Sequence, residues 1–449
     1  MNRKLAGHSS RVIFSFAVFL ILLGVFLKYS PAVFSFTNAS FTWDSFGGGS
    51  WTTTTNWNPN GFPNGIGDTA NFGNKITSAS QVTIPDATNI TVGSIFLDDN
   101  DSYIINSTGP NNTGALTLDA SSGNATITKS AVGGGNHQVA ANITLNDDLT
   151  ITSNVPADSS ILTIFSNISG AGRSVVKAGT GNVVFSPGGT NSYTGSTSVN
   201  AGKLTVNRVN GPSAFSIAPT GILTGTGTIG ALTTTGGTVS PGDSVGVLNA
   251  NGNVFLNNST TFKVLLNGTT AGQFGQLNVT GTVDLGGSAL NVGIVPFPGT
   301  YNPAINDSFV IINNDASDLI TTRFAGLPNS GNTFPVGAAT FSINYAGGSN
   351  GNDVVITVVP TPPTAAHVGV AGRVVTSSGA GLGNARVTLT GANNNPVTTI
   401  TNSFGYFRFD SVEAGSSYVI GVTAKRYHFD SKLIALEDEV TDLVFTPSP

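Results

Sequence analysis

From about residue 80 to residue 360 the chain alternates apolar and polar residues in short runs. Gln81-Val82-Thr83-Ile84, Ala115-Leu116-Thr117-Leu118, Asn142-Ile143-Thr144-Leu145, Leu149-Thr150-Ile151-Thr152 and Leu204-Thr205-Val206 all repeat with period 2. That period belongs to strands with one face buried, and Gly, Asn or Asp bounds each run, as turns require. Strand pairs recur roughly every 20 residues, the spacing of one solenoid coil. No amphipathic helical stretch of useful length interrupts the pattern. The prediction is a stack of coils, each burying its apolar face only against its neighbours.

The segment 167–206 is the most regular. It carries Asn191, Tyr193-Thr194-Gly195, Thr197, Val199, Ala201-Gly202, Leu204 and Val206 after a Lys and a Gly-rich turn. This order resembles the autotransporter-associated β-strand repeat. Residues 222–286 (LTGTGTIGALTTTGGTVSPGDSVG and FGQLNVTGTVDLGG) are similar to passenger solenoids, and Phe341-Ser342-Ile343-Asn344-Tyr345 with GGSNGNDVVITV resembles their closing strands. The resemblance implies an all-β fold, a right-handed parallel β-helix, outside the cytoplasm.

Trp43, Trp51 and Trp57 all fall between residues 41 and 75, ahead of Pro63, Asp68 and Phe72. The string resembles the entry segment that precedes such repeats. Two readings stand: a cap covering the open first coil, or a Trp-rich platform that binds sugar.

After the Pro/Thr linker 360–365, charges become denser. Val370-Ala371-Gly372-Arg373-Val374, Asn384-Ala385-Arg386-Val387-Thr388-Leu389, Asn402-Ser403-Phe404-Gly405-Tyr406-Phe407-Arg408-Phe409 and 418–424 with Tyr427 look like a carboxypeptidase regulatory-like domain. The resemblance implies a seven-stranded, transthyretin/Ig-like β-sandwich over 366–449. The alternation agrees: Phe407 and Phe409 share one face, leaving Tyr406 and Arg408 on the other.

The domain reading is therefore a signal peptide or N-terminal anchor over 1–39, a Trp-rich cap over 40–79, a solenoid over 80–359 with its repeat at about 168–206, the linker, and the sandwich. Arg3, Lys4 and Arg11 precede an apolar run from Val12 to Leu27, which suits a signal h-region better than a spanning helix. Membrane contact is expected only there.

Composition narrows the function. Charged residues are 9% of the chain, well below the ~25% of ordinary domains, and the net charge is −5 with no basic stripe. Nucleic acid is not an expected partner. There is no Cys, so neither disulfides nor thiolate metal sites contribute.

The motifs that suggest chemistry lack their context. Gly242-Asp243-Ser244-Val245-Gly246 fits a nucleophile elbow and Gly225-Thr226-Gly227-Thr228-Ile229-Gly230 a dinucleotide turn, yet strand-like sequence follows both where a helix is needed. The turn 347–353 is similar to a calcium-binding nonapeptide, but in a single copy. His8, His137, His367 and His428 are scattered and form no metal set, with His137 expected in a Gly-Asn turn. A polysaccharide-degrading β-helix would need paired carboxylates, for which Asp119 and Asp147 on adjacent coils are the candidates. Asp residues here mostly take turn positions. No catalytic, metal or cofactor residue is assigned.

The expectation is a secreted or cell-surface solenoid, structural or adhesin-like and non-catalytic, presenting a binding surface. Extracellular polysaccharide or surface proteins are the expected partners. Carbohydrate binding through the sandwich or the Trp cap is the alternative, with Trp43, Trp51, Trp57, Tyr406, Arg408 and Tyr427 as candidate contacts.

Overall fold

In the computed structural model the alternation becomes inside and outside. Val82 and Ile84 of strand Ser80–Pro85, and Ile127 of strand Ala125–Lys129, are buried, while their neighbours face outward. The described residues are 38–448 except 133, 156–159, 296–300, 316–317, 362–366 and 392–394. The expected signal segment through Thr37 and most of the linker lie outside them. The chain divides into two compact units between Pro360 and Thr361.

The first unit stacks parallel strands on three faces. One face runs Thr69–Phe72, Ser94–Leu97, Ala125–Lys129, Leu149–Ser153, Val175–Ala178, then Thr197–Val206. A second runs Ser80–Pro85, Tyr103–Thr108, His137–Val139, Ile161–Ile164, Asn182–Phe185. A third begins Asn89–Val92, Ala115–Leu118, Asn142–Leu145, Ile168–Ser169. In-register parallel pairing puts like positions above one another. Leu149 sits on Val175, Val175 on Thr197, Thr197 on Phe215 and Phe215 on Leu232, so the coil shortens along this stretch. The buried ladder is continuous, at about 1.5–3 kcal/mol per buried aliphatic side chain. That burial offsets the ordering of many Gly-rich turns.

Both ends of the stack are finished differently. At the start, Ser40–Trp43 pairs antiparallel with Trp57–Asn58 and parallel with Thr69–Phe72. At the other end, Ser308–Asn314 is parallel to Gly275–Val279 but antiparallel to Asp353–Val359, and Ala339–Gly347 and Thr333–Val336 continue antiparallel. The reversal ends the parallel ladder without leaving a further coil to add.

The second unit is a two-sheet sandwich of seven strands. Tyr406–Glu413, His367–Val374 and Val440–Phe445 form one sheet. Pro396–Ile400, Arg386–Thr390, Ser416–Thr423 and Lys432–Leu436 form the other. Val370, Val374, Val387, Leu389, Phe407, Phe409, Ile420 and Phe445 fill the space between them. Among the described residues there is no α-helix, only a 3-10 turn at Thr54–Asn56.

Candidate functional site

Three basic residues of the solenoid, Lys129, Lys177 and Arg208, point inward. Lys177 follows Val175 in the buried phase and stacks between Ile151 and Val199. Its Nζ donates to the carbonyls of Ala178 (2.9 Å), Gly179 (2.7 Å) and Ala201 (2.8 Å). Burial lowers its pKa to about 8. Lys129, in phase with Ala125 and Ile127, is equally buried and donates to Ser160 Oγ. Arg208 spends its guanidinium on the carbonyls of Ser186, Ser166 and Phe165 and on Asn191 Oδ1. Lys177 and Arg208 satisfy backbone acceptors that the turns would otherwise leave orphaned.

The repeat's polar positions form a second internal network. Asn191 Nδ2 donates to Asn210 Oδ1, Asn210 Nδ2 donates to the Tyr193 hydroxyl, and that hydroxyl shares a hydrogen with Thr197 Oγ1 at 2.6 Å. Thr197 in turn meets Ser213 Oγ at 2.7 Å. Burial pushes the Tyr193 phenol up to about 12, against the hydrogen bonds from Thr197, Ser213 and Asn210. The residues that carry the family resemblance are therefore coil-to-coil braces. Sequence reasoning left Lys129, Lys177 and Arg208 without a role. The signal for the two lysines was present: each keeps the period-2 phase of its strand's buried residues.

The other sequence candidates resolve into structure. Asp147 Oδ2 accepts from the Ala120 N–H at 2.7 Å, and Asp119 Oδ2 accepts from Asn146 Nδ2 at 2.8 Å. Both carboxylates tie adjoining turns. Gly242 follows strand Gly237–Pro241 and Gly246 opens strand Gly246–Ala250, so Ser244 sits in a strand-to-strand turn. Gly225 to Gly230 likewise lead into strand Leu232–Thr234. His137 is not in a turn. It opens strand His137–Val139, fully buried, with Nδ1 accepting from the Tyr103 N–H at 3.2 Å.

The tryptophans are the main correction. Trp43, Trp51 and Trp57 are 0%, 0% and 1% exposed. Trp43 meets Trp57 edge-on at 5.1 Å, and Trp51 lies 5.1 Å from Trp57. All three pack on Phe72, which continues through Tyr103 to His137. Each indole N–H already donates to a carbonyl, of Gly47, Pro63 and Trp51 respectively. A ring buried on both faces offers no platform for a sugar; these residues cap the first coil.

Of the six candidate contacts, the exposed aromatic is Tyr406 of the sandwich. Tyr406 is 54% exposed and lies opposite Arg373 across the antiparallel pair. The Arg373 guanidinium covers its ring at 5.2 Å and donates to the Phe404 carbonyl at 2.9 Å. Arg408, two residues along the same face, donates to Asp410 at 2.7 Å and Glu439 at 2.9 Å. Those carboxylates hold its pKa above the ordinary arginine value. A shallow groove of about 380 Å³ runs between Tyr406, Arg408, Ile400, Asn402 and Thr441. Tyr427 is not part of it. It sits in the connection between strands Ser416–Thr423 and Lys432–Leu436 of the other sheet, packed on Phe429.

Residues 175–206 match the passenger-associated-transport-repeat family model. They span the Lys177 brace, Asn191, Tyr193 and the strand Thr197–Val206 that follows. Residues 369–446 match the carboxypeptidase regulatory-like domain, which takes in nearly the whole sandwich and the Tyr406 face. No curated protein matches the chain. The first unit is thus a passenger-like β-solenoid, and the second is a carboxypeptidase regulatory-like β-sandwich.

Proposed function

We propose that this protein is an exported, surface-exposed solenoid of structural and adhesive character, and that its binding face is the Arg373–Tyr406–Arg408 row of the sandwich. The observation that carries the reading is a contrast in how side chains are used. In the solenoid, Lys129, Lys177, Arg208, Asp119 and Asp147 are committed to internal carbonyls, hydroxyls and turn amides. In the sandwich, an exposed Tyr ring, two guanidinium groups and a groove share one sheet face. Aromatic and Arg side chains carry a large share of binding energy at protein surfaces. The passenger-associated repeat supports export, and the apolar run at the N-terminus supplies the expected route.

A flat row of one aromatic ring flanked by fixed hydrogen-bond donors also suits a sugar ring, whose apolar face stacks while its hydroxyls accept. Polysaccharide is therefore the second reading for the occupant, ahead of a protein surface only in that it explains the groove. Retention of the full exported chain on insoluble polysaccharides, with the same tubes assayed for released reducing ends, separates the cases. Retention lost in Tyr406→Ala supports a glycan at this face. Release of sugar ends overturns the non-catalytic reading. Absence of retention, with binding to cell-surface protein that Tyr406→Ala abolishes, supports the adhesive one. Unaltered retention and unaltered cell binding in Tyr406→Ala sink the assignment of this face.

A further inference from the structure

The antiparallel reversal closes only one face of the solenoid. At each end of the stack the last strand of every face has an edge to cover. At the start, Ser40–Trp43 covers Thr69–Phe72 and Gly49–Ser50 covers Ser80–Pro85. In Asn89–Val92 the Thr91 N–H donates to Asn64 Oδ1 at 2.9 Å. At the far end, Asp353–Val359 covers Ser308–Asn314, and the Thr321 N–H donates to the Val283 carbonyl at 3.0 Å beside strand Val283–Asp284. Strand Ala289–Ile294 differs. It ends the second face and pairs in register with Thr260–Leu266 on one side only.

One hydrogen bond sets the phase of its free edge. The Val295 N–H donates to the Leu266 carbonyl at 2.9 Å. In a parallel ladder each residue turns its N–H and C=O to one side, and successive residues take opposite sides. Residues 291, 293 and 295 therefore serve Thr260–Leu266, and Leu290 and Val292 aim their backbone groups at the open side. Among the described residues nothing bonds those groups. Proteins blunt such edges with charge, proline or a bulge, because an open edge templates pairing with another chain. Ala289-Leu290-Asn291-Val292-Gly293-Ile294 has neither charge nor proline. Proline stands on the opposite bank, as Pro335 in Thr333–Val336, the outer strand of the closing hairpin. Between the banks lies a groove of about 450 Å³, lined by Leu290, Val292, Phe334, Pro335 and the turn 325–327. Leu290 and Val292 are half-buried and pack on the solenoid core.

We propose that this groove takes an extended segment of a partner polypeptide, which adds to the free edge of Ala289–Ile294 as one more parallel rung. The complement of a strand edge is another backbone, with donors and acceptors at the same spacing. The added strand continues an interface already built, since six positions of Ala289–Ile294 pair in register with the preceding rung. That continuity also sets the partner's side chains. Apolar residues at alternate positions lie over Leu290 and Val292, with small or polar residues between them. The hairpin bank leaves room for a single strand rather than for the edge of a second solenoid.

The test uses the full chain and a fluorescent peptide of residues 259–267, the sequence of the rung that already holds the other edge. Fluorescence polarisation should rise and saturate as the chain is added. Val292→Pro removes an N–H that the ladder with Thr260–Leu266 does not use, and edge strands tolerate proline. The variant should fold and bind the peptide about tenfold more weakly or worse, for want of an edge hydrogen bond. A second measurement leaves the protein unaltered. Two peptides are N-methylated on alternate residues. The one methylated on the N–H groups that face the solenoid should lose binding, and the other should keep it. This pair also decides where Val292→Pro fails to fold. A merely apolar groove predicts equal behaviour of the two methylated peptides, and that result overturns the proposal. So does a parent peptide that shows no saturable binding. So does self-association of the chain that Val292→Pro abolishes, which gives the edge to a second copy.

Discussion

Lys177 Nζ lies 2.8 Å from the carbonyl oxygen of Ala201, one coil further along the stack. The same ammonium holds Ala178 and Gly179, so one side chain closes the turns of two successive coils. Lys177→Met would keep the aliphatic packing between Ile151 and Val199 and would relieve the buried charge. It would also leave three carbonyls short of a donor, at about 1–3 kcal/mol each where water cannot enter. The acceptors outweigh the relief. We expect a loss of about 2 kcal/mol or more, read as a lower urea midpoint by far-UV circular dichroism. A Met variant as stable as the wild type would mean that ladder packing, and not carbonyl bracing, fixes this corner.

Gly202 tests how close successive coils stand. Its φ is +65°, and a Cβ there would lie 2.5 Å from the Gly181 carbonyl oxygen and 2.6 Å from that of Gly179. Backbone of the previous coil cannot step aside as a side chain would. Gly172, at φ +72°, has open space where its Cβ would be. Gly172→Ala should therefore cost only the left-handed strain, about 1–2 kcal/mol. Gly202→Ala adds a backbone collision and should cost clearly more. Thermal unfolding of both variants side by side gives the comparison. Equal costs would show that the coils can part locally at no expense.

His137 gives the solenoid an acid limb. Burial first, then the charge of Lys129, lowers its pKa to about 4 from an ordinary 6.5. Above pH 6.5 the ring is neutral folded and unfolded, and this contribution to stability is fully present. As pH falls from 6.5 towards 4, the unfolded chain takes up a proton that the folded one refuses, so stability drops. At about 1.4 kcal/mol per pH unit the total is about 3 kcal/mol. Most carboxylates titrate below that window's upper half, so pH 5 to 6.5 isolates the histidine. His137→Asn retains an acceptor for the Tyr103 N–H and should flatten the dependence there. An unchanged slope between pH 5 and 6.5 would assign the acid limb to other groups.

These expectations separate what was legible in the sequence from what was not. Period 2 marks which side of a strand is buried, and so Val82, Ile84, Leu204 and Val206 read correctly as core, as did Phe407 and Phe409. The order Asn191, Tyr193, Thr197 and Gly202 marked the coil. Side-chain partners were another matter. Lys177 meets Ala201, and Arg208 meets Phe165 and Ser166, because coils stack, and no local spacing encodes that distance. The Trp cluster was ambiguous for a related reason. A cap and a sugar platform need the same residues, and only their burial against Phe72 distinguishes them. The Asn314–Asp353 contact joins two strand ends 39 residues apart, beyond any motif.

Trp57 and Tyr406 should dissociate stability from binding. Trp57 is buried, donates to the Trp51 carbonyl at 2.7 Å and touches Trp43, Trp51 and Phe72. Removing it opens a large cavity at the first coil, and Trp57→Ala should cost about 3–5 kcal/mol. Its sandwich, with a separate core, should keep whatever the Tyr406 face binds. Tyr406 is 54% exposed, with Arg373 against its ring, so Tyr406→Ala should change the unfolding midpoint little, within the ~0.5 kcal/mol of ordinary surface substitutions. It should nonetheless weaken retention on the partner surface tenfold or more, the loss of a central aromatic contact. Melting curves and retention, measured on the same two preparations below the melting range of the Trp57 variant, give the answer. Loss of retention in Trp57→Ala with an intact sandwich would return the binding site to the first coil, against the burial of all three indoles.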